Sequence, residues 1–304
     1  IASLVGSEMC IRDRIYSYGL GWDINPKIGI EGKITNSYGA SPSTGLLTIP
    51  SDNKPLYSAN IIYKPYEEDT YLEPLKEKDK LTSHGGITVN NALIPSSGTS
   101  QIYFNYDSKG NLLGFYGYSL SNIFQLELIN IGIFEDVNLV GNKQRDLAST
   151  YLSENNLNYR LGGKLLIFSP QKDDLFWMTV RTSVGRNDDT NQGYLYSELI
   201  NTFRLNDRVA FNLSPKYFFS GVESFGGLGV SSYINLLDNV QIIPEVNTSF
   251  NNDSNFNSTI ALRYSYSSEK SIDLYYSNAV GIQDLGQLLE DKEYRFGFKL
   301  NFLY

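Results

Sequence analysis

From Tyr294 to Tyr304 every second residue is aromatic or leucine: Tyr294, Phe296, Phe298, Leu300, Phe302 and Tyr304. Between them stand Arg295, Gly297, Lys299, Asn301 and Leu303. Successive side chains of a β-strand point to opposite faces. The stretch therefore has one greasy face and one mostly wet face. Its length suits a tilted strand crossing a bilayer, which takes ~9–11 residues.

The same period of two recurs upstream. In 271–277, Ile272, Leu274 and Tyr276 alternate with Asp273 and Tyr275. In 256–266, Ile260, Leu262, Tyr264 and Tyr266 alternate with Thr259, Ala261, Arg263 and Ser265. The segments 240–250, 226–236, 208–219, 194–205, 175–185 and 157–168 repeat the pattern, which is the main signal of two-faced strands. In 194–205, Ser197 and Asn201 interrupt the apolar face. Further strands are expected at 15–24, 27–38, 56–64, 100–106, 112–119 and 123–134, about fifteen in all. Asn25-Pro26 and Asp107 to Asn111 read as turns.

The connections alternate in length. Ser267–Lys270, Leu237–Asn239, Asn206–Asp207 and Ser169–Asp173 are short, and 278–293, 251–255, 220–225 and 186–193 are longer. A membrane barrel keeps its short turns on one side and its long loops on the other. A soluble sandwich has no reason to maintain that parity.

With its alternating face and terminal aromatic, 294–304 resembles the closing strand of Gram-negative outer-membrane β-barrels. The resemblance implies that the barrel-assembly machinery reads Tyr294, Phe296, Phe298, Leu300, Phe302 and Tyr304. It also implies an outer-membrane location and contact with outer-membrane lipid. Composition agrees. No apolar run reaches the ~18 residues of a membrane helix. The slightly negative mean hydropathy is what a barrel shows when only alternate residues face lipid. A net charge of −8 argues against a nucleic-acid partner.

The first thirteen residues stand apart. Leu4 to Asp13 reads LVGSEMCIRD, which resembles the translation of a sequencing adapter, so residues 1–13 are expected to be an artefact. On that reading the natural chain is N-terminally truncated here and its signal peptide is missing. Cys10 then carries no meaning, and disulfides and thiolate metal sites are not expected. Residues 14–304 form the barrel, in which 65–99 is irregular: Glu67–Lys80 mixes both charges, with one short helix after Pro74. This stretch is either a periplasmic excursion or a segment folded into the lumen. Within 84–106, Gly85, Gly86, Thr88, Asn90 and Ala92, followed by Gly98 and Thr99, resemble the start of barrel units in proteins of exopolysaccharide secretion.

On the wet faces from 157 onward stand Arg160, Lys164, Arg181, Arg204, Arg208, Lys216, Arg263, Arg295 and Lys299, against Glu198, Glu245 and Asp273. A lumen lined by Arg and Lys focuses a positive field and favours anions weakly. Alternatively, these cations pair with the three acids or sit at strand ends, and set no selectivity. The acidic stretch Asp284 to Glu293 reads as a solvated outer loop. Aromatics at strand ends suit interfacial girdles, and the inward Tyr196, Tyr233 and Tyr275 suit packing in a crowded lumen.

Chemistry finds little purchase. The single histidine, His84, beside Ser83, reads as a turn residue, since adjacent strand residues face apart. Neither a phosphate-binding loop nor a dinucleotide fingerprint occurs. The expectation is an all-β, antiparallel, up-and-down transmembrane barrel of about 14–16 strands that is not an enzyme and has no cofactor. Its function is porin-like passage of small hydrophilic solutes. The alternatives are a barrel for surface-polysaccharide export or a soluble all-β binding protein. Ser197 and Asn201 on an outward face point to contact with a second copy.

Overall fold

The computed structural model describes residues 16–25, 28–36, 55–64, 74–133, 139, 142–152, 158–170, 176–250 and 255–304. The adapter-like residues 1–13 and the charged run 65–73 lie outside them. The chain divides into two units, residues 1–71 and 72–304.

The first unit is a three-stranded antiparallel meander of β1 (Ser17–Asn25), β2 (Ile28–Thr35) and β3 (Leu56–Tyr63). Registers Trp22↔Ile30↔Ile61 and Tyr18↔Ile34↔Tyr57 put these apolar side chains, all exposed, on one face.

The second unit is a closed ring of twelve strands: β4 (Ser100–Asp107), β5 (Leu112–Ser121), β6 (Phe124–Ile133), β7 (Asn158–Phe168), β8 (Trp177–Arg186), β9 (Gly193–Arg204), β10 (Val209–Phe219), β11 (Ser224–Leu237), β12 (Val240–Ser249), β13 (Asn255–Ser267), β14 (Lys270–Ala279) and β15 (Glu290–Leu303). Each strand pairs antiparallel with the next. Two helices, α1 (Glu77–Ser83) and α2 (Asn142–Tyr151), lie outside the ring order.

The ring shuts where β15 meets β4. The registers Phe302↔Ile102, Leu300↔Phe104 and Phe298↔Tyr106 match apolar to apolar across the junction. The Tyr106 and Phe298 rings lie 6.1 Å apart. Ser100 and Tyr304 exchange both backbone hydrogen bonds, at 2.7 and 2.9 Å. The described strands number fifteen, as the strand reading expects. The ring holds twelve rather than fourteen to sixteen because β4, not an earlier strand, supplies the partner edge for β15.

Burial along the wall is the inverse of that in a soluble protein. On β13, Asn257, Thr259, Ala261, Arg263 and Ser265 are buried, whereas Phe256, Ile260, Leu262, Tyr264 and Tyr266 are exposed. On β15, Arg295, Lys299 and Asn301 are buried, and Tyr294, Phe296, Phe298 and Tyr304 are exposed. A large apolar side chain gains about 1.5–3 kcal/mol on leaving water. A whole outward band of them calls for hydrocarbon around the ring.

The interior is packed, and the reading of Asp284 to Glu293 as a solvated outer loop is corrected for 284–289 and Asp291. Residues 278–289 are buried. The apolar spacing Leu285, Leu288, Leu289 folds a 3-10 turn (Asp284–Gln287) inward. There Leu285, Leu288 and Leu289 pack with Leu147, Ala148 and Tyr151 of α2 and with Tyr194, Phe218 and Phe225 of the wall. A second cluster joins Ile87 to Tyr103, Phe115, Tyr233, Ile243 and Tyr275. The three inward tyrosines thus serve packing. Tyr275 and Tyr194 each cover a cross-strand glycine, Gly297 and Gly185, where a Cβ would strike the ring.

Candidate functional site: the charged interior

All ten charged residues singled out for the inner wall are buried there: Arg160, Lys164, Arg181, Glu198, Lys216, Glu245, Arg263, Asp273, Arg295 and Lys299. They divide into three groups with different partners.

Midway along β8, Arg181 holds Glu127 with two bonds of 2.7 Å, from Nε and Nη2. Its Nη1 reaches Glu198 and Asp284, each at 2.9 Å. Asp284 also accepts from Ser183 Oγ at 2.8 Å, and Arg160 Nε stands 3.6 Å from it. Burial alone would raise the Asp284 carboxyl, but Arg181 and Arg160 outweigh it and hold it below the usual carboxylate range. Asp284 takes the left-handed backbone, φ 45°.

A second group gathers at the β4–β15 junction. Arg295 Nη2 bonds Asp291 at 2.6 Å and its Nη1 lies 3.3 Å from Asp107. Lys109 reaches the same Asp291 at 2.9 Å. A cavity there, lined by Asn105, Asp107, Tyr275, Ile282 and Arg295 among others, holds about 10 Å³, room for about one water.

The third group faces the stretch after α1. Arg263 and its cross-strand partner Asp273 form a two-bond pair at 2.6 and 2.7 Å. The same guanidinium donates to the Gly85 carbonyl at 2.5 Å and to the Leu81 carbonyl at 3.3 Å. Glu245 accepts the Ile87 N–H at 2.9 Å, the Thr88 N–H at 2.6 Å and the Thr88 hydroxyl at 2.8 Å. Lys299 Nζ donates to the Gly86 carbonyl at 2.8 Å, Lys216 Nζ to the Thr88 carbonyl at 2.9 Å, and Lys164 Nζ to the Leu93 carbonyl at 2.7 Å. Gly86 is needed because the Glu245 carboxylate fills the space of a Cβ there. Residues 85–93 thus run through the ring, tied to strands β7, β10, β12, β13 and β15.

His84 is the turn residue closing α1, as the sequence reading has it, and it is buried. It faces Arg263, Asp273 and Lys299 and the backbone of Ser268. Burial, and then the Arg263 charge, push its imidazole down to about 3.

Sequence reasoning missed four inner carboxylates. Glu127 alternates with Leu126 on β6, so its parity already pointed inward. Asp107 sits at the end of β4, and Asp284 and Asp291 belong to a stretch read as solvated. The leucines at 285, 288 and 289 were the signal that this stretch is buried. Tyr294, Phe296, Phe298, Leu300, Phe302 and Tyr304 share the outward face of β15. There Tyr276 stacks on Tyr294 at 4.7 Å and approaches Phe296 at 4.6 Å. On the outward face at β8–β10, Ser197 Oγ lies 3.2 Å from Thr182 Oγ1. Asn201 there donates to the backbone carbonyls of Leu199 and Leu213.

No protein-family model and no curated protein matches the chain. Similar solved structures include a KdgM porin in complex with disordered oligogalacturonate, at 8 % identity and a TM-score of 0.49, covering 67 % of this chain and 98 % of that one. A NanC porin aligns at 8 % identity with a TM-score of 0.45, covering 67 % and 98 %. The COG4313 outer membrane channel from Pseudomonas putida F1 aligns at 9 % with a TM-score of 0.44, covering 69 % and 97 %.

Proposed function

We propose that the chain is an outer-membrane barrel that passes small hydrophilic solutes, held closed here by residues 81–95. One observation carries this reading: a closed twelve-strand ring with its apolar residues outside and its charges inside. In a bilayer the outward band meets lipid hydrocarbon, and the strand β15 is what the barrel-assembly machinery recognises. The inner residues act by field and hydrogen bonding, with no covalent step. In the closed form the charges offer little selectivity. Arg160, Lys164, Arg181, Lys216, Arg263, Arg295 and Lys299 are matched in number by Asp107, Glu127, Glu198, Glu245, Asp273, Asp284 and Asp291. An anion preference therefore belongs to a form in which the segment has moved. Ser197 and Asn201 mark the outward patch where a second copy would sit.

Reconstitution in a planar bilayer tests the reading. The expected record is a mostly silent channel with brief openings, which become frequent when Glu245→Gln weakens the hold on Ile87 and Thr88. A barrel that stays silent in both forms would sink it. That outcome would favour the second reading, a barrel serving surface-polysaccharide export, which the packed interior of residues 85–93 and 280–289 also supports. Release of the protein from cells by salt washing, without detergent, would exclude both.

A further inference from the structure

Three buried lysines of the inner wall have an unusual set of partners. Lys164 and Lys299 donate only to backbone carbonyls, of Leu93 and Gly86. Lys216 donates to the Thr88 carbonyl and to the amide oxygens of Asn247 and Gln287, at 2.7 and 2.6 Å. None of the three is ion-paired among the described residues, in contrast to Arg181, Arg263 and Arg295 beside them. A buried ammonium is costly unless its charge is met. Here the contacts are neutral oxygens and, for Lys299, the Tyr103 ring at 4.4 Å; the carboxylates of Asp273 and Glu198 stand across the strand pairs without bonding the ammoniums. Arg181, Arg263 and Arg295 each bond a carboxylate directly, so hydrogen bonding to neutral oxygens only is the mark of these lysines.

All three contacts with carbonyls come from one short run, Gly86 to Leu93. The run crosses from Lys299 on β15 through Lys216 on β10 to Lys164 on β7, presenting an oxygen to each. A solute with several anionic oxygens offers the same groups at higher charge, and charge-assisted hydrogen bonds are the stronger kind. We propose that Lys164, Lys216 and Lys299 form a binding site for a multiply charged oxyanion, such as a polycarboxylate, which the chain's own carbonyls at Gly86, Thr88 and Leu93 occupy in the closed form.

The assignment rests on the pore reading, since a solute reaches these ammoniums only through the lumen. It also gives the open form a sign. When 86–93 leaves the wall, it uncovers the three ammoniums and two carboxylates, Glu245, held by Ile87 and Thr88, and Glu198, held by Asn90. Arg263 keeps Asp273, and Arg181 keeps Glu127, Glu198 and Asp284. The newly exposed surface therefore carries an excess of positive charge that the closed form lacks. Anion and segment compete for one site, so the anion shifts the population towards the open form by its differential affinity.

Amide hydrogen exchange on the unmodified chain in detergent micelles tests this, with sodium citrate as the probe and sodium chloride at equal ionic strength as the control. Citrate is expected to speed exchange over 86–93 by about tenfold, a coupling of ordinary size, while β4–β15 keep their protection. Sucrose at the same concentration should do nothing. The variant Lys164→Gln/Lys216→Gln/Lys299→Gln should lose the citrate effect. If that triple variant does not yield a folded barrel, Lys299→Gln alone must raise the citrate concentration needed. Exchange indifferent to citrate, or a citrate effect that survives loss of the lysines, overturns the site. A parallel bilayer recording keeps the two ideas apart: citrate-enhanced exchange with no conductance leaves an oxyanion site in a lumen reached from one mouth and removes passage through the barrel.

Discussion

The guanidinium of Arg181 on β8 lies 2.9 Å from the carboxylate of Asp284, which is 103 residues further along the chain. This pair is the charged tie of the 280–289 stretch to the wall, beside the packing of Leu285, Leu288 and Leu289. Arg181 retains Glu127 and Glu198 without it, whereas Asp284 has Arg181 as its main counter-charge. Asp284→Asn should therefore loosen the inserted stretch rather than the wall. The expected loss is about 1.5–3 kcal/mol of local protection, the worth of hydrogen bonds to charged groups. It would be read as faster amide exchange at 280–289 with unchanged exchange on β8. Equal exchange in both forms would mean that Leu285, Leu288 and Leu289 alone hold the stretch.

Glu245 takes three hydrogen bonds from Ile87 and Thr88. Thr88→Ala keeps both backbone donors and removes the hydroxyl, which donates to Glu245 and accepts from Asn247 Nδ2, and should cost about 1–2 kcal/mol of segment docking. Glu245→Gln removes the charge from all three bonds, and should cost more. Open probability in a planar bilayer is expected to rise in that order, wild type, Thr88→Ala, Glu245→Gln. A reversed order would place the latch elsewhere.

Tyr275 lies over Gly297, its cross-strand partner, with no room for a Cβ between them. Gly297→Ala must swing the ring into a filled interior, at about 1–3 kcal/mol for overpacking. The barrel should then unfold at lower temperature, seen as loss of the fast-migrating form on unheated gels. Adding Tyr275→Ala should recover part of the loss, a non-additivity expected of residues in contact. Strict additivity would deny the contact.

His84 supplies the pH dependence. Buried beside Arg263 and Lys299, with Asp273 opposite, its imidazole is held at about 3 against an ordinary 6.5. The released segment binds the proton more readily than the docked one. Docking is therefore at full strength above pH 6.5 and weakens as pH falls, by up to ~1.4 kcal/mol per unit, until about pH 3. Conductance at pH 5 should exceed that at pH 7, and His84→Gln should flatten the difference. A channel that closes on acidification would contradict the burial of this ring.

Much of the wall was legible. On β13 the alternation of Ile260, Leu262 and Tyr264 with Thr259, Ala261 and Arg263 identified both faces, and the structure puts each residue on the expected one. The short turns at Ser267–Lys270 and Leu237–Asn239 lie between strands paired as expected. The inner charge balance was not legible, because Asp284 and Asp291 look like loop acids until Arg181 and Arg295 are seen beside them.

Which face of a strand is oily is a property of residues two apart, so the amino-acid order alone determined the amphipathic wall and its outward band. Which strand closes the ring, and what fills it, was decided only in three dimensions. Glu245 meets Thr88 across 157 residues, and Lys299 meets Gly86 across 213. Such contacts leave no local period. They depend on how many strands pass before two edges with matching apolar rows, Ile102 to Tyr106 and Phe298 to Phe302, come within hydrogen-bonding reach.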